Sequence, residues 1–180
     1  MKLIVVPKVA ICKRLDELGF ERAIPLINKP REGEKKIGFW NNLGIDAYSN
    51  CFGTTCHVLN ADTLIKNHPK NCENKDYILP GSRPGFVGPN AMQRFLSQHC
   101  TPFEVEEEDL QYSDTSRAVL TFWLEKLNHT ALSLGRVNGE AYFFHQMGTG
   151  NVFDIATVGE ITRMYRDEKR VLYMPPTAMA

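Results

Sequence analysis

A cysteine at the start of an apolar segment is the first residue of the chain that could do chemistry. The segment from Tyr48 to Leu59 reads Tyr-Ser-Asn-Cys-Phe-Gly-Thr-Thr-Cys-His-Val-Leu. Ser49 or Asn50 would cap a helix there, because its side-chain oxygen can accept a free amide proton of the first turn. Cys51 would then lie at the helix start, where the positive partial charge of the free amides favours the thiolate, which is the nucleophile. We therefore predict a nucleophilic cysteine at residue 51.

Two histidines flank a predicted hairpin further along the chain. The pair Asn138-Gly139 separates two apolar, partly alternating runs, which is the strongest short-range signal for a hairpin. His129 opens the first run and His145 lies near the end of the second, so antiparallel pairing would bring both to the same end of the hairpin. Together with Cys51 they form a candidate catalytic triad, with Cys51 as nucleophile, His129 as general base and His145 as the group that orients the base.

The order and context of these segments resemble the NlpC/P60 type of papain-like cysteine peptidases over roughly residues 48–148. Proteins of that type carry Asp-Cys-Ser-Gly at a helix start, a strand that opens with histidine and ends in Leu-Gly, and Phe-Ile-His on the next strand. The corresponding segments here are Asn50–Gly53, His129–Gly135 and Tyr142–His145.

The chain departs from the pattern of that family at three places. Asn50 and Phe52 stand where the family usually has Asp and Ser. Ser116-Arg117 stands where Gly-Asp usually precedes the first strand, and the turn over 136–140 lengthens the interval between the two histidines.

The fold class follows from the order of the elements. Helical patterns dominate the first half and strand patterns the second, which predicts an α+β fold with an antiparallel sheet packed against the Cys51 helix. The resemblance implies the finer arrangement, a papain-like (NlpC/P60-like) fold with N-terminal helices packed on an antiparallel β-sheet. A length of 180 residues favours one domain. We therefore assign residues 1–180 to a single papain-like cysteine hydrolase domain.

Two residues of the predicted helix compete with the assigned pair. Cys56 is five positions after Cys51, which rotates it about 140° around the helix and places it on the apolar stripe with Phe52 and Leu59. That position predicts a buried thiol. His57 is rotated about 240° from Cys51, so it cannot act as its base from the same helix.

Composition restricts the class of protein. Hydrophobic residues make up 43%, charged residues 23%, and the formal net charge is zero, so nucleic acid and an anionic membrane are disfavoured as partners. The five cysteines are irregularly spaced without a Cys-x-x-Cys pair, which fits neither a disulfide framework nor a zinc site. We expect no metal and no cofactor. The sequence leaves the oligomeric state open.

The beginning of the sequence bears on where the protein is made. The apolar run within Met1–Val6 is too short for a signal peptide, and Pro7-Lys8 interrupts it. No apolar stretch approaches the length of a membrane span. We expect synthesis in the cytoplasm without a signal peptide, and export by a signal-independent secretion system stays open.

Local patterns predict further elements. Asn41 or Asn42 could supply the side-chain amide of an oxyanion hole, as in papain-like folds, although both also suit a turn. In the first half of the chain we also expect a strand over Lys2–Val6, a helix from Pro7 to about Leu18 with Val9, Cys12, Leu15 and Leu18 on one stripe, and loops over 25–38 and, rich in breakers, over 79–89. In the second half we expect a helix capped at Asn90, a solvated acidic run over 104–109, a strand over 117–124, a helix from Thr157 to about Arg166 and a strand over 170–174.

The predicted chemistry is acyl transfer. A Cys51-His129-His145 triad would make the protein a thiol hydrolase that cleaves an amide or isopeptide bond of a peptide, peptidoglycan or protein substrate. The resemblance implies bacterial cell-wall peptides, and a secreted effector that acts on a wall or a host protein fits the same residues. Two alternatives stay open: a protein glutamine deamidase or transglutaminase with the same Cys-His pair, and a catalytically silent binding module on this fold.

Overall fold

The computed structural model describes residues 6–40, 45–67, 77–78 and 82–176. The helices are α1 (Lys8–Glu17), α2 (Ile24–Asn28), α3 (Cys51–Val58), α4 (Asp62–Asn67), α5 (Pro89–His99), α6 (Glu107–Tyr112) and α7 (Val158–Met164). Two 3-10 turns cover Glu21–Ala23 and Pro30–Glu34. The strands are β1 (Lys36–Trp40), β2 (Ile45–Tyr48), β3 (Tyr77–Ile78), β4 (Phe86–Val87), β5 (Thr101–Glu104), β6 (Val119–Trp123), β7 (Leu127–Val137), β8 (Glu140–Gln146), β9 (Phe153–Thr157) and β10 (Lys169–Met174).

An antiparallel six-stranded sheet with the order β5-β10-β6-β7-β8-β9 is the central layer. The predicted hairpin forms its middle, and Val137 pairs with Glu140 across the turn. Asn138 and Gly139 have φ angles of 52° and 91°. Positive φ at both central residues is what a two-residue turn of type I′ requires, and Asn-Gly tolerates it with little strain. The hairpin prediction is confirmed.

Helices cover both faces of this sheet. Because side chains alternate along a strand, Leu132 and Phe144 point to one face, which we call the front, and Ala131 and Phe143 to the other, the back. Three helices contribute to the front core: α1 with Ile11 and Leu15, α3 with Phe52 and Cys56, and α5 with Met92 and Leu96. The back core includes Leu110 of α6 and Ile161 of α7. The α+β prediction, with N-terminal helices packed on an antiparallel sheet, is confirmed.

Helix α3 begins as the sequence predicts. Asn50 is its N-cap, and the Asn50 side chain accepts a hydrogen bond from the Gly53 amide at 2.9 Å. All eight residues of α3 are buried, so tertiary packing compensates for its weak helix formers. A Cβ at Gly53 would lie 1.9 Å from the Gly85 carbonyl oxygen, so only glycine permits this approach of backbone to the first turn.

Several local predictions were wrong. Helix α1 buries Ile11, Leu15 and Leu18, whereas Val9 is 79% exposed, because the buried stripe follows the 3.6-residue period and not a three-residue repeat. The predicted loop over 25–38 contains α2, a 3-10 turn and the start of β1. The N-cap of α5 is Gly88, without a side-chain bond, and not Asn90.

The second half of the chain fits its predictions more closely. Strands β6 and β10 lie where they were predicted, and Thr157 with Glu160 forms the predicted capping box of α7. The acidic run is not only solvated surface, because Glu106 and Asp109 form a capping box that opens α6. Strand β9 was not predicted.

Some predictions lie outside the described residues. These are Asn41, Asn42, residues 2–5 of the predicted first strand and residues 79–81 of the breaker-rich loop. Among the described helices, none combines the length and apolarity that a membrane crossing needs.

Candidate active site

The backbone of Cys51 is attached to the start of strand β7. Cys51 is the first residue of α3 and only 5% exposed. Its carbonyl oxygen accepts a hydrogen bond from Thr130 Oγ1 at 3.2 Å, and Thr130 Oγ1 lies 2.8 Å from Thr55 Oγ1, one turn further along the helix. Two buried threonines therefore fix the distance between the predicted nucleophile and the strand of the predicted base.

Burial outweighs the helix dipole at the Cys51 thiol. Burial raises the pKa of Cys51 to about 11, although the amides of Thr130 and Phe52 and the Thr130 hydroxyl favour the thiolate. The expectation that the thiolate is favoured at the helix start was wrong for this closed arrangement. The local amides lower the pKa of Cys51, as predicted. Removing a thiolate from water raises that pKa by more than these hydrogen bonds lower it.

His129 and His145 meet as the hairpin predicts. His129 Nε2 lies 3.1 Å from His145 Nδ1, and the two rings are nearly perpendicular, at 87°. Each histidine is only 1% exposed. A hydrogen bond between two buried imidazoles couples their tautomers, because one nitrogen must donate and the other must accept.

Both histidines are held neutral. Burial places the pKa of His129 well below its usual range, and a charge on His145 would lower it further. Burial lowers the pKa of His145 to about 4, while Asp154, its cross-strand partner on β9, and Glu160 act in the opposite direction. At neutral pH, the Cys51 thiol and both imidazoles are therefore neutral.

Only one tautomer of this pair allows His129 to act as the general base. If His129 Nε2 donates to His145 Nδ1, then His129 Nδ1 carries a free lone pair that can take a proton. His145 then bears its own proton on Nε2. That atom is buried and has no hydrogen-bond partner among the described residues. The base-competent tautomer thus leaves a buried N–H donor unsatisfied on His145, which costs about 1–3 kcal/mol.

The histidine rings point to the back of the sheet, whereas α3 packs on the front. His129 contacts Phe122 and Tyr165, both of the back core or packed against it. Thr130 and Gln146, the neighbours of the two histidines in the chain, point to the front. Among the described residues, no hydrogen bond joins the Cys51 thiol to the His129 ring. In unliganded enzymes such bonds are often long and tighten only when substrate binds.

Gln146 connects the end of β8 to the segment around the nucleophile. Its Oε1 accepts a hydrogen bond from Thr54 Oγ1 at 2.8 Å, and its Nε2 donates to Ser49 Oγ at 3.0 Å. The same nitrogen donates to the Asn151 carbonyl oxygen at 2.8 Å. This fully buried amide holds the first turn of α3 at the strand end that carries His145.

Tyr165 belongs to the site and was missed by sequence reasoning. Its ring stacks on His129 with 4.5 Å between the centroids and 12° between the planes. Burial raises the pKa of Tyr165, and a charge on Cys51 would raise it further. Tyr165 follows α7, and no spacing in the sequence relates it to residue 129.

The rival residues lie elsewhere. Cys56 is fully buried, as predicted, and its thiol donates to Met92 Sδ at 3.6 Å. His57 Nδ1 is 3.9 Å from Asp62 Oδ2, and Arg22 bonds both the Asp62 carboxylate and the His57 carbonyl. Within the part of the chain that the structure describes, no group of three His, Cys, Asp or Glu side chains could hold a metal ion.

The geometry therefore gathers a cysteine at a helix start, a buried histidine pair and a tyrosine around one end of the central hairpin. No protein family, curated protein or solved structure matches the chain.

Proposed function

We propose that the protein is a thiol hydrolase that cleaves an amide or isopeptide bond through Cys51, His129 and His145, on a papain-like fold. The observation that carries this proposal is the 3.1 Å contact between His129 Nε2 and His145 Nδ1, next to Thr130, which bonds the Cys51 carbonyl oxygen. A base with an orienting partner is the arrangement that activates a thiol. The resemblance to NlpC/P60 proteins gives the same three roles to the same three positions.

The proposed reaction has two acyl-transfer steps. The Cys51 sulfur attacks the scissile carbonyl carbon while His129 Nδ1 takes the thiol proton, and the His129–His145 hydrogen bond stabilises the imidazolium. The tetrahedral intermediate collapses to a thioester, and the leaving amine takes the proton from His129. Water then attacks the thioester, His129 accepts its proton, and the thiol is restored as the carboxylate product leaves.

The start of α3 offers donors for the developing oxyanion. The backbone amides of Cys51 and Phe52 lie in the first turn, where helix amides have no acceptor within the helix. Because both groups are neutral in the closed state, proton transfer and attack are coupled, in contrast to a preformed thiolate–imidazolium pair.

A panel of substrates with matched variants tests this function. Purified muropeptides and fluorogenic peptides with amide or isopeptide links are incubated with wild type, Cys51→Ala and, as a control, Cys56→Ala. We expect cleavage by wild type and by Cys56→Ala, and none by Cys51→Ala. Cleavage by Cys51→Ala at the wild-type rate would contradict the proposal. The panel also separates cell-wall peptides from protein substrates, and ammonia release from protein glutamine would identify deamidation.

The burial of the site favours a second candidate, a binding module without catalysis. A thiol that is 5% exposed, with a pKa of about 11, does not act as a nucleophile unless the site opens. Alkylation by iodoacetamide, followed by peptide mapping, separates the two candidates. Labelling of Cys51 that is faster than that of Cys56 supports the hydrolase, because both thiols are buried and only the site must open to substrate. Equal, slow labelling favours the silent module.

A further inference from the structure

Tyr165 covers one face of the His129 imidazole. The two rings are within 12° of parallel at 4.5 Å, and Tyr165 also stacks on Phe122 at 4.5 Å and 30°. We propose that Tyr165 is a positioning residue that fixes the plane of the His129 ring and with it the direction of the ring nitrogen that is not bonded to His145. This inference rests on the proposed hydrolase function and adds to it a residue that positions the base.

The hydrogen bond to His145 does not fix His129 by itself. A single bond from Nε2 to His145 Nδ1 still allows the His129 ring to turn through a modest angle about its Cβ–Cγ bond. Such a turn would move the base nitrogen Nδ1 without breaking the bond. A ring that lies flat against the imidazole removes this rotation, because any turn drives one edge of His129 into the face of Tyr165.

The backbone around Tyr165 is itself attached to the strand of His129. The Tyr165 amide donates to the Ile161 carbonyl oxygen at 3.3 Å, and the Tyr165 carbonyl oxygen accepts from the Glu168 amide at 3.3 Å. Glu168 Oε1 in turn accepts a hydrogen bond from Asn128 Nδ2 at 2.7 Å. Asn128 directly precedes His129, so the turn over 165–168 is held next to the ring that Tyr165 covers.

The location of Tyr165 also relates it to the nucleophile. The phenol is close enough to Cys51 for a thiolate there to raise the tyrosine pKa, so Tyr165 stays neutral and adds no charge to the site. Tyr165 is half-buried, whereas Cys51 and His129 are buried. Its ring therefore separates the imidazole from solvent on this side of the sheet.

Two substitutions at residue 165 separate the ring from the hydroxyl. Tyr165→Phe retains the stacked ring, and Tyr165→Leu replaces it with an apolar side chain that has no flat face. Phe143→Leu is the control for lost stability, because Phe143 is a fully buried aromatic residue of the same back core. Melting temperature, kcat and KM on a cleaved peptide, and the NMR titration of the His129 ring protons are measured for each variant.

We expect Tyr165→Leu to lower kcat about tenfold to a hundredfold with little change in KM, since misplacing a catalytic group by about 1 Å has effects of this size. In the same variant the His129 pKa should rise, because water reaches the ring, and the slowly exchanging N–H proton between His129 and His145 should be lost. Tyr165→Phe should retain most of the activity and the wild-type titration. Phe143→Leu should lower the melting temperature without these changes.

Two results would overturn the inference. One is a folded Tyr165→Leu protein with wild-type kcat and an unchanged His129 titration. The other is a Tyr165→Phe protein as inactive as Tyr165→Leu, which would assign the effect to the hydroxyl and not to the stacked ring. The titration needs no substrate, so it tests Tyr165 even if the wild type cleaves nothing, in which case the hydrolase proposal fails separately.

Discussion

His129 Nε2 and His145 Nδ1 lie 3.1 Å apart across the central hairpin, on strands β7 and β8. This contact makes each ring determine the tautomer of the other. If His129 Nε2 donates in this bond, His129 Nδ1 is the ring nitrogen that can serve as a base, since His145 Nε2 then carries the second proton.

The first prediction replaces His145 by residues that do or do not accept this bond. In His145→Asn, the amide oxygen falls close to the position of Nδ1, so it can accept from His129 Nε2, and we expect much of the activity to remain. His145→Gln places its oxygen nearer to Nε2 and should retain less, and His145→Ala should lose activity at nearly unchanged KM. Rates and melting temperatures of the three variants are measured together. If all three lose the rate without losing stability, His145 is the base.

The second prediction concerns the cap of α3. Asn50 Oδ1 accepts from the amides of Gly53 and Val87 at 2.9 and 3.2 Å, and Asn50 Nδ2 donates to the Val87 carbonyl oxygen at 2.8 Å. An aspartate at this position has no donor and would place a carboxylate against that carbonyl. We expect Asn50→Asp to lower the free energy of unfolding by about 1–3 kcal/mol, measured by urea titration. An Asn50→Asp protein that is more stable than wild type would contradict this account of the Asn50 cap.

The third prediction separates the two cysteines of α3. Cys56 is fully buried against Met92. Cys56→Ala removes one buried sulfur atom and should cost about 1–2 kcal/mol of stability, while the rate of the folded protein should stay near that of wild type. Chemical denaturation and kinetics check both parts. A well-folded but inactive Cys56→Ala protein would move the nucleophile to Cys56.

The fourth prediction is a loss of stability at mildly acidic pH. His57 and His145 have pKa values lowered by burial from 6.5 to about 4. Between pH 6.5 and 4 the unfolded chain binds more protons than the folded protein, so the stabilisation present above pH 6.5 is lost as the pH falls. Each histidine accounts for up to about 3 kcal/mol over this window.

His57→Gln tests this linkage outside the candidate site. The variant should show a shallower decrease of unfolding free energy between pH 6.5 and 4 than wild type, and its activity at neutral pH should be unchanged. An identical pH dependence in the two proteins would mean that His57 does not carry a lowered pKa. The pKa of Asp114 is also lowered, so this carboxyl titrates below pH 4 and does not affect the comparison of the two proteins.

Local signals in the sequence predicted the parts of the site that local backbone chemistry determines. The Asn138-Gly139 turn, the Asn50 cap and the capping box of Thr157 and Glu160 each need only a few adjacent residues, and each is present. The turn brings the two histidines to the same end of the hairpin, and the register shift between Ser133 and Gly135 places them on the same face of the sheet. These features were predictable because neighbouring residues carry the whole interaction.

Features that depend on packing between distant elements were missed or wrong. The thiolate expectation for Cys51 considered its own helix and not the strand that buries it. The stack of Tyr165 on His129 joins residues whose spacing has no periodic meaning. The face of the sheet on which each histidine points depends on its pairing partners, such as Phe122 opposite His129, and no pattern in the sequence specifies them.

The most direct measurement of the central claim is a double-mutant comparison of Cys51 and His129 on one cleaved peptide. Because thiol and imidazole act in one proton-transfer unit, Cys51→Ala and His129→Ala should each abolish hydrolysis while circular dichroism shows an intact fold. The account predicts that the double variant is hardly slower than either single one. Rate losses that add, with His129→Ala retaining substantial activity, would contradict it.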